Sequence, residues 1–95
     1  MSGGGAAAFQ RLDLWLWCAR VARTRAECTR AVAAGGVRIN RQPTDKPHAK
    51  LRAGDVLTLT IGGNVRVWRV LLLAGRRGPA SEARGLYEDL SDPPK

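Results

Sequence analysis

The chain has one histidine, His48, and two cysteines, Cys18 and Cys28, with neither C-x-x-C spacing nor a companion His/Cys cluster. That scarcity argues against a metal centre and a histidine-based triad, and it leaves the thiols as small side chains buried on helices. No metal and no cofactor is expected. Acidic side chains are also few: 8 Asp+Glu stand against 16 Lys+Arg, for a formal net charge of +8 and a pI near 11.1. No apolar run reaches the roughly 18–20 residues that a membrane-spanning helix needs. The opening "MSGGGAAAF" lacks the basic start and apolar length of a secretory leader. Together these absences predict a cytoplasmic protein with no membrane partner.

What is present is basic and unevenly placed. Residues 1–77 carry 14 basic and 4 acidic side chains, whereas residues 78–95 carry 2 and 4. A 95-residue chain with 44% apolar residues is enough for one domain with a modest core. A domain so basic favours a polyanionic partner, and nucleic acid is the commonest.

Periodicity places the elements. "MSGGGAAA" reads as the greater part of a disordered tail over residues 1–9. Leu12, Trp15, Leu16, Ala19 and Ala22 recur at three- and four-residue spacing, which predicts a helix from Arg11 to Ala22. A second helix runs from Thr24 to about Ala34, buries Cys28, Ala31 and Val32, and stops at Gly35-Gly36. "VRIN" reads as a strand and "RQPTDKPHAKLRAGD" as a loop. "VLTLTI", with Leu57, Leu59 and Ile61 on one face, turns through Gly62-Gly63-Asn64 into "VRVWRVLLL". The apolar phase slips near Trp68-Arg69, which suggests a bulge. The ending "PASEARGLYEDL" places Ala83, Leu86, Tyr87 and Leu90 on one stripe, as a short C-terminal helix or docked tail covered by Trp15 or Trp17.

The segment "VARTRAEC" carries a conflict. Thr24 and Glu27 have the spacing of a capping box, yet Arg20, Arg23 and Arg25 crowd the same helix start. Each exposed cation there works against the helix dipole by roughly 0.3–1 kcal/mol. A phosphate resolves the conflict, because free amides at a helix N-terminus attract anions and guanidinium forks suit them. The alternative is that the arginines lie along the surface and pair with Asp13 or Glu27.

"RLDLWL", "TRAECTRAV", "GGVRIN" and "AGDVLTL", in that order over residues 11–61, resemble the alpha-L RNA-binding domain, the module of the fourth small-subunit ribosomal protein. The aromatic "LWLW" and the ending "RRGPASEARGLYEDL" narrow the resemblance to the heat shock protein 15 family. The resemblance implies an α+β fold, with two helices packed on a small, mostly antiparallel sheet and the alpha-L domain over residues 10–74. A basic-then-acidic extension, residues 75–95, would follow it. It implies RNA contacts from Arg11, Thr24, Arg25 and Arg30, to which the basic pattern adds Arg20, Arg23, Arg38 and Arg41. Leu14 stands where relatives often carry a basic residue, and Arg41 replaces the usual glycine after the strand's asparagine. The implied target is ribosomal RNA of the large subunit, in a heat-shock role on subunits that still carry a nascent chain.

Trp17 either stacks on a base or packs against the tail, and Arg76 and Arg77 either grip phosphate or solubilise a strand end. The competing reading is a winged-helix-like DNA-binding protein. Against it, only two helices precede the sheet, and the second helix, which would be the reader, ends in small residues, "AVAAGG". Without a catalytic constellation or length for an attached modifying domain, the chain is expected to be a monomeric, non-catalytic binder of structured RNA. Weak affinity for single- or double-stranded DNA is expected beside it.

Overall fold

A computed structural model describes residues 8–61 and 63–91 of the chain. In chain order its elements are β1 (Gln10–Arg11), α1 (Leu12–Cys18), α2 (Arg25–Ala33), β2 (Val37–Ile39), β3 (Gln42–Thr44), β4 (Lys50–Leu51), β5 (Val56–Ile61), β6 (Asn64–Val70), α3 (Ala80–Arg84) and β7 (Tyr87–Asp89). Five strands make one antiparallel sheet in the order β3-β2-β5-β6-β7, and β1 pairs with β4 in a separate two-stranded ladder. This is the expected α+β class. Residues 1–7, most of the tail expected to be disordered, lie outside the described residues, as do Gly62 and the side chain of Ile61.

The apolar stripe of α1 is buried as its spacing requires: Leu12, Trp15, Leu16 and Ala19 join Cys28, Val32, Leu57, Leu59 and Val70 in one core. The helix itself ends at Cys18, four residues before the predicted Ala22. It closes in a Schellman motif, with the Arg20 amide donating to the Trp17 carbonyl and the Val21 amide to the Leu16 carbonyl, both at 3.0 Å. Arg20 takes the left-handed position (φ 62), a conformation that costs a non-glycine residue about 1–2 kcal/mol. No glycine marks this stop in the sequence. The end of α2 uses the same motif with Gly35 at φ +84. Gly36 meets a different demand, since a Cβ there would lie 2.9 Å from the Thr60 carbonyl oxygen of β5.

The segment expected as one loop holds two short strands. A two-residue turn, Asn40 (φ 51) and Arg41 (φ 70), joins β2 to β3 with both central residues left-handed, as such hairpins require. Asn40 Nδ2 donates to Asp55 Oδ1 (3.0 Å), and Asn40 Oδ1 accepts from the Val56 amide (2.9 Å). Asp55 Oδ2 also accepts from the Arg52 amide (2.9 Å), so the pieces "VRIN" and "AGD" fasten two turns together.

The suggested bulge is absent: β5 and β6 pair without interruption from Val56↔Arg69 to Ile61↔Asn64. The phase slips because Arg66 faces Leu59, on the core side of the sheet, while Val65 is exposed. The C-terminal stripe also changes form midway. After the five-residue α3, Tyr87–Asp89 becomes a strand on the edge of β6, which gives those amides partners that so short a helix does not. Tyr87 stacks on Trp68 (centroids 3.7 Å apart, 12°) and meets the edge of Trp15 at 6.5 Å. Trp15 covers the tail from a fully buried position, while Trp17 lies beneath the Arg77 guanidinium at 5.5 Å.

Candidate nucleic-acid interface

Asp13, on the first turn of α1, is 2% exposed and organises the charged end of the helix layer. Arg11 donates to both of its oxygens, Nε to Oδ1 and Nη2 to Oδ2, each at 3.1 Å. Thr29 of α2 donates to Oδ2 at 3.0 Å, and Arg25 Nη2 stands 3.9 Å from Oδ1. Burial pushes the carboxyl's pKa up. The hydrogen bonds from Arg11 and Thr29, with the charges of Arg11 and Arg25, more than offset it, and Asp13 titrates below the ordinary aspartate range. A buried carboxylate thus holds two guanidiniums that remain about half exposed, at 52% and 45% of their side-chain surface.

Thr24 forms the expected capping box. Its hydroxyl accepts from the Glu27 amide (3.1 Å), and its own amide donates to Glu27 Oε1 (3.2 Å). Glu27 is therefore occupied with the cap, and among the described residues it makes no ion pair. The start of α1 is different, because its first two amides donate to the Ala49 and Pro47 carbonyls. Arg11 precedes α1 and Arg23 and Arg25 flank the start of α2, so the two helix starts bring their surface arginines to the same end of the helix layer as Asp13.

The structure brings Arg11, Thr24 and Arg25 together. Arg23 is exposed just before the cap, and Arg30 is exposed further along α2, roughly 140° around the axis from Arg25. Arg20 points elsewhere: its Nε donates to the Gly78 carbonyl at 2.9 Å. Arg38 lies between Val37 and Ile39, which face the core, and so occupies the opposite side of the sheet. Arg41 sits at the tip of the β2–β3 turn. Arg76 pairs with Glu82 at 3.1 Å, and Arg77 donates to the Trp17 carbonyl at 3.1 Å. Sequence reading missed Thr29 and the central place of Asp13; the available signal was one acid at the head of an otherwise apolar helix face.

Both cysteines are buried, and burial raises their pKa values, so the thiols stay protonated. Among the described residues no His/Cys/Asp/Glu group is placed to hold a metal ion, and no helix is long and apolar enough to cross a membrane.

Two helices against an antiparallel sheet, with an arginine-flanked helix start, define a small basic domain of the alpha-L, or S4, RNA-binding class. The S4 domain family model matches residues 10–57. Over 82 residues the chain is 39% identical to heat shock protein 15 of Escherichia coli K12, covering 86% of this chain and 61% of that protein. It is 37% identical to a heat shock protein 15 homolog of Aeromonas salmonicida over 79 residues, which are 83% of this chain and 59% of the relative. The trimeric structure of Vibrio cholerae heat shock protein 15 superposes with a TM-score of 0.81 at 32% identity, covering 88% of this chain and 84% of that one. The chain belongs to the heat shock protein 15 family. It spans about three fifths of the length of the curated relatives it matches.

Proposed function

We propose that the chain is a non-catalytic, cytoplasmic RNA-binding protein whose contact face is built on Arg11, Thr24 and Arg25, with Arg23 and Arg30 beside them. The observation that carries this reading is the Asp13 carboxylate, which holds the half-exposed Arg11 guanidinium by two hydrogen bonds and stands 3.9 Å from that of Arg25, next to the capped start of α2. Prepositioned guanidiniums lose little freedom on meeting phosphate, and they recognise backbone geometry more than base sequence. Arg20, Arg38 and Arg41 serve as outlying contacts for a folded RNA that wraps beyond this face. Membership of the family supports ribosomal RNA of the large subunit as the target, in a heat-shock role on subunits bearing a nascent chain. The protein acts there as a monomer, with residues 10–74 as the binding unit and residues 75–95 as an extension.

Titration of a structured large-subunit RNA fragment at several salt concentrations tests the reading. Contact with about six phosphates gives a log–log slope on the order of −4 to −5. A flat dependence would remove the electrostatic basis. Preference for duplex DNA would favour the winged-helix alternative, against which α3 stands after the β5–β6 hairpin and not before it. Sedimentation of the complex distinguishes one bound copy from the trimer seen in the Vibrio cholerae relative.

A further inference from the structure

At the C-terminal end of α1, away from Asp13, lies an open cleft of about 270 Å³. Three arginines from three elements line it: Arg20 follows α1, Arg66 belongs to β6, and Arg84 ends α3. Among the described residues no carboxylate contributes to the lining. The acids nearest in sequence are engaged elsewhere, Glu82 with Arg76 and Glu88 with Arg69. Among the described residues none of the three arginines has an ion-pair partner.

Arg66 explains why the apolar phase of β6 fails. It occupies the face that carries Leu59 and Trp68, where alternation calls for an apolar side chain. Trp68 forms part of the wall and is 4% exposed, and its indole N–H is buried without an acceptor. Such orphaned donors are rare in folded proteins. Arg20 is held by its bond to Gly78 in a backbone conformation unfavourable for arginine. Like charges gathered in one cleft raise its free energy, and a bound anion relieves that repulsion beside the buried indole of Trp68.

We propose that this cleft is a second anion site that takes a phosphate group, contributed by an RNA strand or by a free nucleotide. Arg66 and Arg84 grip the phosphate oxygens from the two sides, and Arg20 completes the positive rim. The site is separate from the face around Asp13.

The test follows the indole N–H resonances of the full chain in nitrogen-15 NMR, with the Trp68 signal assigned through Trp68→Phe. Inorganic phosphate, adenosine monophosphate and a short single-stranded RNA are titrated in turn at constant ionic strength, with chloride as the replaced anion. The Trp68 signal shifts saturably with phosphate, and Arg66→Leu and Arg84→Gln each weaken that binding about tenfold or more. Should Arg66→Leu lose the dispersed spectrum of the fold, Arg84→Gln on the exposed helix carries the comparison alone. RNA that saturates the shift at lower concentration than the mononucleotide identifies a strand phosphate as the ligand, and the reverse order identifies a free nucleotide. A Trp68 signal that ignores phosphate, or responds equally in both arginine variants, overturns the site. Inorganic phosphate titration uses no RNA, so its outcome is independent of whether Arg25 binds RNA.

Discussion

Around Asp13, one buried carboxylate is hydrogen-bonded to Arg11 and paired at 3.9 Å with Arg25, whereas Arg20, Arg66 and Arg84 gather where, among the described residues, no acid contributes to the wall. The first group is neutralised in part and held in shape before any ligand arrives. The second is held by backbone and by neighbouring elements, with its charge uncompensated. Similar side chains therefore play different energetic parts. Removing the anchor from the first group harms the fold, while removing a cation from the second relieves repulsion.

The largest expected effect comes from Asp13→Ala, which removes two charge-assisted bonds from Arg11 and the Thr29 contact. Thermal and denaturant melts should show a loss of about 3 kcal/mol, and a loss below about 1 kcal/mol would show that the carboxylate anchors nothing. The same group sets a pH dependence. Its pKa is lowered by folding, so its contribution is complete above the ordinary aspartate value, about 4, and disappears as pH falls through the lower folded value. Parent and Asp13→Asn melts should converge on acidification through that window; a constant gap would refute the linkage.

Arg25→Ala separates binding from stability. Its guanidinium is 45% exposed and 3.9 Å from Asp13, so the fold should lose no more than about 0.5 kcal/mol. RNA affinity should fall by about 1–3 kcal/mol in filter-binding or anisotropy titrations. Unchanged affinity would leave Arg25 as a surface residue only. The smallest effect belongs to an arginine tethered to neither group. Arg41→Gly frees a left-handed turn position and should raise stability by about 0.5–1 kcal/mol in melts, whereas a loss would mean the turn tolerates arginine without strain.

Patterns within one element were legible in the sequence. The stripe of α1, the Thr24–Glu27 box, the Gly35 stop and the alternation of Leu57 and Leu59 depend on neighbours a few residues away, and each has its expected form. Features set by distant partners were not. The early end of α1 depends on Arg20 accepting a glycine's backbone angles, and β7 exists because β6 offers an edge that Tyr87 can join. The short strands β3 and β4 lie among prolines and polar residues and owe their order to Asn40, Asp55 and the β1 partner. For the candidate interface, residue types were readable, but which arginines share a surface was not. Arg38 and Arg20 sit near Arg25 in a basic sequence, yet the pleat sends one to the far side of the sheet and a Schellman turn directs the other towards Gly78.

The order of the five-stranded sheet leaves β3 and β7 at its margins. An open margin invites another chain to add a strand, the first step of aggregation. Here β3 is three residues long with Pro43 at its centre, where no N–H is available for a newcomer. The other margin presents Asp89 and the Glu88–Arg69 pair, a charged row where an added strand would need an apolar or complementary one. Both borders of this sheet thus discourage an identical strand from pairing there, one by a missing donor and the other by charge.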